Sequence, residues 1–312
     1  VFRTTDGWTT HTEFKLTASD AAANDHFGRS VAINGNAIVA GARQYWPISG
    51  HAYIFGTNDD GATYSQVAKV SCQSGCSYLD AFGESVGISN DTVVIGGSGA
   101  NQGNSGAAFV FRTTDGDQVA KLTGSPAQAD VWCGKSVAID GNRIVFGCPG
   151  EDGGGSQSGA AYVFHTSDSG ATYDRVAKLT ASDASAGGNF GSSMAIAGGT
   201  VVVGAPHDWA AGSVYVFRTD DGGDWYDEVA KLTASDAASN DRFGYSVAID
   251  GNTIVVGAYG AGTSGAVYVF LTYNGGATYV EVAKLTASDA AAGDQFGVSV
   301  AIDGDTVVVG AN

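Results

Sequence analysis

The stretch RFGYSVAIDGNTIVVGA, at residues 242–258, recurs in imperfect copies along the whole chain and decides the fold. Each copy holds two short, β-branched apolar runs that usually meet across Asn-Gly, Asp-Gly or Gly-Gly. These residues tolerate the positive φ of a tight turn, so each copy predicts a β-hairpin. A glycine precedes the hairpin in all six copies, at Gly28, Gly83, Gly134, Gly191, Gly244 and Gly297. Their spacing of 55, 51, 57, 53 and 53 residues by subtraction indicates an array of supersecondary units.

Five of the six hairpins are followed by two further apolar blocks, such as SGAVYVF at residues 264–270 and VAKLTASD at residues 229–236. One repeat therefore predicts four antiparallel strands, the content of a propeller blade. Val1 and Phe2 match the end of a third strand, HTEFKL at residues 11–16 matches a fourth, and the chain stops after a second strand. We expect the chain to be part of a longer protein.

These blocks predict an all-β, six-bladed β-propeller of four-stranded antiparallel blades, formed as one domain by residues 1–312. Pairing of the N-terminal and C-terminal strands in one shared blade would close the ring and remove two exposed edges. The alternative is a seven-bladed ring that lacks one repeat.

Composition and net charge limit the classes of function that the chain can have. The chain has 312 residues, of which 44% are hydrophobic, but no apolar run approaches the roughly 18 residues that would span a membrane. We therefore expect no membrane insertion by this segment. A net charge of −17 and a pI near 4.3 make nucleic acid an improbable partner, because phosphates would be repelled.

Phe-Gly before each first strand, with Gly-Ala-Pro at residues 204–206 and Gly-Cys-Pro at 147–149, resembles the FG-GAP repeat of integrin α-subunit propellers. The resemblance covers essentially the whole chain and is closest to divergent bacterial and algal FG-GAP proteins. It implies a propeller at the cell surface or outside the cell. Calcium-binding integrin blades carry an acidic loop between the first and second strands, whereas connections here, such as residues 250–252, are too short to wrap an ion.

The turns between the third and fourth strands, such as TSDSGATY at residues 166–173, resemble the Asp-box of sialidases and other propellers. In that family the acidic side chain bonds amides of the turn and the aromatic ring packs back on the blade. The resemblance implies a peripheral structural turn. A calcium or glycan contact at one of these turns is the alternative.

The connection from each fourth strand to the next repeat, such as TASDAASNDRFG at residues 233–244, allows two interpretations. In the first, four aspartates cap one short helical turn: Asp20, Asp183, Asp236 and Asp289. In the second, two oxygen-rich groups bind a hard cation such as Ca²⁺: Asp20, Asn24 and Asp25, and Asp236, Asn240 and Asp241. The sequence requires no cofactor. A lysine in each fourth strand is expected to protect the outer edge of the blade.

Four cysteines form two local pairs, Cys72 with Cys76 and Cys133 with Cys148. The second pair stands at the start of a first strand and the end of the adjacent second strand, which are neighbours in an antiparallel hairpin. Two disulfides would fit an oxidising compartment, so we expect an extracellular or cell-surface protein. A zinc site is less favoured, because the cysteines lie in separate blades.

No histidine stands in a motif with a nucleophile or at metal-ligand spacing, which favours a non-enzymatic module. The alternative is a sialidase-like or lyase-like propeller enzyme acting on glycans. In such an enzyme Arg29 and Tyr245, which follow the repeat glycines, are the residues to test.

We expect extracellular recognition or adhesion, or a structural role, with a protein or glycan as the partner. The variable loops between second and third strands share one face with the fourth-to-first connections, and loops on a rigid scaffold commonly carry binding. Six residues of these loops are candidates for ligand contact: Arg43, Tyr45, Trp46, His207, Asp208 and Trp209. Packing of their rings on their own loops is the alternative.

The position after each repeat glycine starts the innermost strand and varies in charge, through Arg29, Glu84, Lys135, Ser192, Tyr245 and Val298. The residue after it is always serine, which predicts a hydroxyl bonded to backbone where the strands crowd together. We predict a partly ion-paired channel mouth. A ligand on the axis would contact Arg29, Glu84, Lys135 and Tyr245, unless the charges only neutralise one another.

Overall fold

The computed structural model describes residues 1–3, 12–43, 50–72, 81–99, 105–124, 130–220, 222 and 225–312. Within these ranges the chain forms β-strands and a single 3₁₀ turn, Asp208–Ala210, which confirms the all-β class. In the described part of the chain, no helix is long and apolar enough to cross a membrane.

The chain starts with a two-stranded sheet of β1 (Phe2–Arg3) and β2 (Thr12–Glu13), the N-terminal half-blade. Blade 1 holds β3 (Phe27–Asn34), β4 (Ala37–Ala42), β5 (His51–Gly56) and β6 (Ser65–Ser71). Blade 2 holds β7 (Phe82–Ser89), β8 (Thr92–Gly97), β9 (Ala107–Arg112) and β10 (Gln118–Leu122). Blade 3 holds β11 (Val137–Asp140), β12 (Arg143–Cys148), β13 (Ala160–His165) and β14 (Asp174–Leu179).

Blade 4 holds β15 (Ser193–Ala197), β16 (Thr200–Ala205), β17 (Ser213–Arg218) and β18 (Asp227–Leu232). Blade 5 holds β19 (Ser246–Asp250), β20 (Thr253–Ala258), β21 (Ala266–Leu271) and β22 (Val280–Leu285). The C-terminal half-blade consists of β23 (Ser299–Asp303) and β24 (Thr306–Gly310). Within every blade the strands pair antiparallel in chain order, as the repeat predicts.

Backbone hydrogen bonds assign the connections to two faces. The two tight turns of a blade bond to each other, for example through the Thr166 amide and the Asn142 carbonyl at 3.0 Å. The loop between the second and third strands bonds instead to the connection that enters the next blade, as in the Asn240 amide and the Ala210 carbonyl at 2.7 Å. The variable loops and the connections between blades therefore lie on one face, as predicted, and the tight turns lie on the other. We call the first of these the loop face.

Successive blades are joined by what we call the interblade clasp. The Ser193 hydroxyl of blade 4 donates to the carbonyl of Gly244, which opens the next repeat, at 2.7 Å. Gly204 lies beneath this carbonyl, and a Cβ at Gly204 would stand 2.0 Å from the Gly244 oxygen. The same serine bond recurs at four other junctions, Ser30 to Gly83, Ser85 to Gly134, Ser136 to Gly191 and Ser246 to Gly297. The predicted backbone bond of the uniform serine is confirmed, and its acceptor lies in the next repeat.

A second position in each repeat must also be glycine, because the backbones of two successive repeats approach each other closely there. Gly212, before the third strand of blade 4, forms a parallel bridge with Phe243 of the next repeat, and a Cβ there would stand 2.2 Å from the Phe243 oxygen. Side chains larger than hydrogen would push the blades apart at both places. The recurring glycines of the repeat therefore mark contacts between blades as well as turns.

The phenylalanine of each Phe-Gly pair anchors the core of its own blade. Phe243 packs edge-on against Tyr268 and Phe270 of the third strand, with ring centroids 5.5 and 6.0 Å away. All three rings are buried. Equivalent aromatic clusters occur in blades 1, 2 and 4.

Blade 3 fills this space differently. Cys133 replaces the phenylalanine and forms the predicted disulfide with Cys148. Phe146, where blades 4 and 5 have Val203 and Val256, stacks on Tyr162 at 5.6 Å and supplies the missing ring. Cys133 is smaller than the phenylalanine that it replaces, and Cys148 and Phe146 fill the volume that it leaves. Cys72 is also disulfide-bonded, and its predicted partner Cys76 lies outside the described residues.

The predicted closure of the ring is not confirmed. β1 pairs with β2 and β23 pairs with β24, but the two half-blades remain separate sheets. Apolar residues of β3 and β24 are exposed, with Val31 67%, Ile33 61% and Val308 64% exposed.

A glycine-to-alanine pair tests the clasp. We expect Gly204→Ala to lower the free energy of unfolding by about 3 kcal/mol, because its Cβ would meet the backbone oxygen of Gly244. Gly310→Ala, at the same position of the last repeat, should cost less than about 1 kcal/mol, because its nearest neighbour is the rotatable Ser299 hydroxyl. Urea unfolding of both variants measures the difference. Equal losses would show that a carbonyl covers Gly310 in solution, as a closed ring requires.

Candidate functional site

Carboxylates anchor the connections of the loop face to the blades. Asp236, on the connection into blade 5, accepts a hydrogen bond from the Tyr268 hydroxyl at 2.8 Å and pairs with Lys284 of the fourth strand at 2.5 Å. Equivalent clusters are Asp20 with Tyr53 and Lys69, and Asp183 with Tyr215 and Lys231. The helix-capping interpretation is therefore wrong for Asp20, Asp183 and Asp236, because their oxygens bind side chains of the blade, and for Asp289 it stays a prediction. The lysines serve as ion-pair partners, beyond any protection of the edge.

Loop carboxylates complete the clusters in two blades. On the connection into blade 3, the sequence has Pro126 at the position that is aspartate in four other repeats. Glu151 from the second-to-third loop binds Tyr162 and Lys178 instead. In blade 4 the loop residue Asp208 joins Asp183, so two carboxylates share Tyr215 and Lys231. Asp208 is only 2% exposed. It was predicted to contact ligand, and the structure places it as a buried support beneath the loop.

The pKa values of these tyrosines and aspartates reflect the hydrogen bonds of the clusters. Burial, and the hydrogen bond to the Asp236 carboxylate, raise the pKa of Tyr268 to about 12. Burial and the bonds to Asp208 and Asp183 raise the pKa of Tyr215 still further. The hydrogen bond from Lys284 lowers the pKa of Asp236. The Tyr268 hydroxyl therefore stays neutral at neutral pH, and the Asp236 carboxylate accepts from both this hydroxyl and the Lys284 ammonium group, which makes the cluster a stable brace.

An aromatic patch lies above these braces at the junction of blades 4 and 5. Its members are His207, Trp209, Arg242, Tyr245 and Tyr259. The Tyr245 and Tyr259 rings meet edge-on at 4.5 Å, and an Arg242 Nη donates to His207 Nδ1 at 2.8 Å. The patch combines accessible rings with a polar pair, which suits binding of an amphipathic partner.

Trp209 is the most exposed ring of the patch, at 67%. Its backbone has φ 47° and that of Ala210 has φ 68°, so two consecutive residues with side chains adopt the left-handed conformation. The ring lies 5.8 Å from the Lys231 ammonium. Such a backbone is costly for residues with a Cβ and is often associated with functional sites.

Burial lowers the pKa of His207, and the neighbouring Arg242 guanidinium lowers it further. The imidazole is therefore neutral at physiological pH and accepts the arginine bond at Nδ1. Protonation would place two cations in contact and break this pair. The His207–Arg242 geometry is thus sensitive to acidification.

At the predicted channel mouth Glu84 forms an ion network, but the residues that belong to it differ from those predicted. Glu84 binds Lys135 as predicted, but its second cation is Arg43, at 3.1 Å, and not Arg29. Ser98 donates to the other Glu84 oxygen at 2.8 Å. The Glu84 side chain is only 5% exposed, whereas that of Lys135 is 42% exposed. Arg29 is exposed, and the described part of the chain offers it no carboxylate partner.

Two predicted binding residues, Tyr45 and Trp46, lie outside the described residues. In the proposed cation groups, Asp25 and Asp241 accept the amides of Ala22 and Ala238 at 2.6 and 2.8 Å. Asp20 and Asp236 are neutralised by lysine, as described above. Calcium binding at these groups, which include Asn24 and Asn240, stays a prediction. In the described chain, the residues that cluster at metal-ligand distance are Cys133, Cys148 and Glu151, but both sulfurs belong to the disulfide.

Sequence reasoning missed one class of loop-face residues. The residue before each Phe-Gly or Cys-Gly pair has a positive φ and closes a turn with the variable mouth residue three positions later. These residues are His26, Ala81, Trp132, Asn189, Arg242 and Gln295. The signal in the sequence was that the residue type at this position varies from repeat to repeat, whereas the glycine motif that follows it does not. Arg242 and Trp132, which is 36% exposed, enter the candidate surface this way, together with Tyr259.

The Asp-box-like turns lie on the opposite face and have the implied structure. Asp168 accepts hydrogen bonds from the Thr172 amide at 2.9 Å and from the hydroxyls of Thr172 and Thr166 at 2.7 and 2.8 Å. These bonds, led by that of the Thr172 hydroxyl, lower the pKa of Asp168 to about 2. A further turn, in blade 1, has the same bonds around Asp59. The turns brace the blades on this face.

Comparison with known proteins agrees with the geometry. The model of the FG-GAP repeat matches six segments, at residues 10–55, 64–111, 117–164, 173–217, 226–270 and 279–312. No curated protein matches the chain. The first five matched segments each run from the fourth strand of one sheet to the third strand of the next, and the sixth runs from β22 to β24.

Acidification tests the His207–Arg242 pair. Because the folded-state pKa of His207 lies below its usual value of 6.5, the unfolded chain takes up this proton first as the pH falls. The contribution of His207 to the free energy of unfolding therefore decreases below that pH. We expect Arg242→Gln to raise the His207 midpoint in an NMR titration, while Arg175→Gln leaves it unchanged. An unaltered midpoint in Arg242→Gln would contradict the pairing.

A second titration tests the Asp-box turn. The stabilisation by Asp168 is complete above its unfolded pKa of 3.8 and is lost as the pH falls through about 2. Thr172→Val removes the largest cause of the shift, so we expect the Asp168 carboxyl to titrate at a higher pH in this variant. Thr172→Ser, which retains the hydroxyl, should leave the midpoint close to wild type. Carboxyl ¹³C shifts measure both, and a low midpoint retained in the valine variant would refute the assignment.

Proposed function

The chain belongs to the FG-GAP repeat family, whose matches cover most of its length, and on that basis we propose that it is a non-enzymatic recognition module. Its partner is a protein or a glycan, bound by the loop face outside the cell or at its surface. Propellers of this family are often extracellular, commonly mediate protein interactions and are generally non-enzymatic. The Cys133–Cys148 disulfide is compatible with that location.

One observation carries the proposal. Trp209 is held in solvent by a left-handed backbone, in the same loop as His207, which pairs with Arg242. The Tyr245–Tyr259 pair lies on the same face, at the two ends of the first hairpin of blade 5. The loop below it is braced by buried Asp208, which binds Ser185 and Tyr215 as well as Lys231. A rigid support under an exposed ring lowers the entropy lost on binding. Tryptophan, tyrosine and arginine are also the residues most enriched in binding hot spots.

The enzyme alternative stays a prediction. Arg29 and Tyr245, its candidate residues, start the inner strands of blades 1 and 5. Turnover of sialosides or uronic-acid polymers that is abolished by Arg29→Ala or Tyr245→Phe would replace the recognition role with catalysis.

A pair of tryptophans tests the proposed function. The chain offers a matched control, since Trp225 is 70% exposed but lies in a turn of the opposite face. A glycan array and a library of extracellular protein domains first supply a ligand, and calorimetry then measures its affinity. We expect Trp209→Ala to weaken binding by about 2 kcal/mol, or about 30-fold, because truncating a central aromatic anchor has this effect. Trp225→Ala should bind as wild type. Equal affinities of the two variants would exclude the loop face of blade 4.

A further inference from the structure

Three cationic side chains lie close together on the loop face of blades 1, 2 and 3 in an otherwise acidic protein. We propose that Arg29, Arg43 and Lys135 form a binding site for an anionic polysaccharide, in which the buried carboxylate of Glu84 holds Arg43 and Lys135 in place. The inference deepens the proposed recognition role and rests on it. It adds a second contact region on blades 1 to 3, whereas Trp209 lies on blade 4.

The interblade clasp places these side chains next to one another. Ser30 bonds the Gly83 carbonyl at 2.9 Å, so Arg29 stands beside Glu84. Ser85 bonds the Gly134 carbonyl at 2.9 Å, so Glu84 stands beside Lys135. Three consecutive inner strands therefore start with the members of one cluster, and Arg43 reaches it from the end of β4.

Two cations of the cluster share one carboxylate, because Arg43 and Lys135 both bind Glu84. Arg29 adds a third, exposed cation on the neighbouring inner strand. Glu84 is withdrawn from solvent, while Lys135 and Arg29 are accessible, so an approaching ligand meets the cations first. The chain as a whole carries −17. A local reversal of sign in such a protein attracts and orients an anionic partner.

Glu84 is a positioning residue. Its two oxygens bind Arg43, Lys135 and the Ser98 hydroxyl. A buried carboxylate with these partners fixes both cations before a ligand arrives, which reduces the entropy cost of binding.

The neighbouring ring favours a sugar over an acidic peptide. Trp132 closes a turn with Lys135 through the Lys135 amide at 3.1 Å. Its ring borders Gly150, where a Cβ would stand 3.1 Å from Trp132 Cε3, and 36% of the residue remains exposed. A flat ring beside cations matches the apolar face of a sugar whose substituent carries the charge. That substituent is a carboxylate or a sulfate ester, since both offer oxygens to arginine and lysine.

The experiment measures binding of the full chain to polygalacturonate, dextran sulfate, neutral dextran and polyglutamate. We expect one or both charged polysaccharides to bind and the neutral dextran to remain unbound, with affinity that decreases as salt is added. The two charged polymers distinguish carboxylate from sulfate. Arg29→Gln and Lys135→Gln should each weaken binding about tenfold. Arg112→Gln, the same charge change on the opposite face, should have no effect.

Glu84→Gln separates positioning from simple attraction. It makes the mouth more positive, so general electrostatics predicts tighter binding, whereas loss of the fixed Arg43 and Lys135 predicts weaker binding. We expect the weaker binding, with Arg29→Gln as the variant that remains informative if Glu84→Gln does not fold.

Three results would overturn the inference. They are absence of binding to both charged polysaccharides at low salt, equal affinities of Arg29→Gln and Arg112→Gln, and a preference for polyglutamate. If Trp209→Ala abolishes binding of a ligand while Arg29→Gln does not, the proposed function stands and only the mouth site is refuted.

Discussion

The hydrogen bond from one serine hydroxyl to a glycine carbonyl of the next repeat is the constraint on which the array depends. Its energy is about 1 kcal/mol per junction, but its geometry brings two backbones so close that no Cβ fits between them. At the junction of blades 4 and 5 this excludes side chains at both Gly204 and Gly212. The recurring glycines therefore follow from packing between repeats, and the inner strands are held at a fixed spacing.

That spacing leaves the residues on either side of each Phe-Gly pair free to vary. The turn from Arg242 to Tyr245 and the turn from Trp132 to Lys135 have the same backbone, set by the clasp and the buried anchor between them. Arginine in the first turn stands where the second has tryptophan, and tyrosine stands where the second has lysine, so the charge differs at each position. One backbone thus presents six different pairs of side chains, and recognition can change without loss of the fold.

Much of this architecture could be predicted from the sequence, because a hairpin period near 53 residues and turn residues at constant positions act locally. Strand order, the two faces, the Cys133–Cys148 bond and the role of the uniform serine all follow from that pattern. The braces of the loop face could not be predicted in the same way. Glu151 and Asp208 occupy loop positions typical of exposed binding residues, and only the approach of Tyr162 or Tyr215 explains their burial. Arg43 likewise replaced Arg29 beside Glu84 because a loop residue reached the mouth from outside the repeat pattern.

The distribution of charge separates scaffold from surface. Of the lysines in the fourth strands, Lys69, Lys231 and Lys284 are paired with carboxylates of the connections, and Lys178 is paired with Glu151 of a second-to-third loop. The pairs with the connections are partly exposed and screened by solvent, so each contributes little to stability. Their effect is to hold a connection against the blade that it enters. What the loop face then offers to a partner is the exposed Trp209 and the cations beside Glu84, because the carboxylates of the braces are already engaged by tyrosine and lysine.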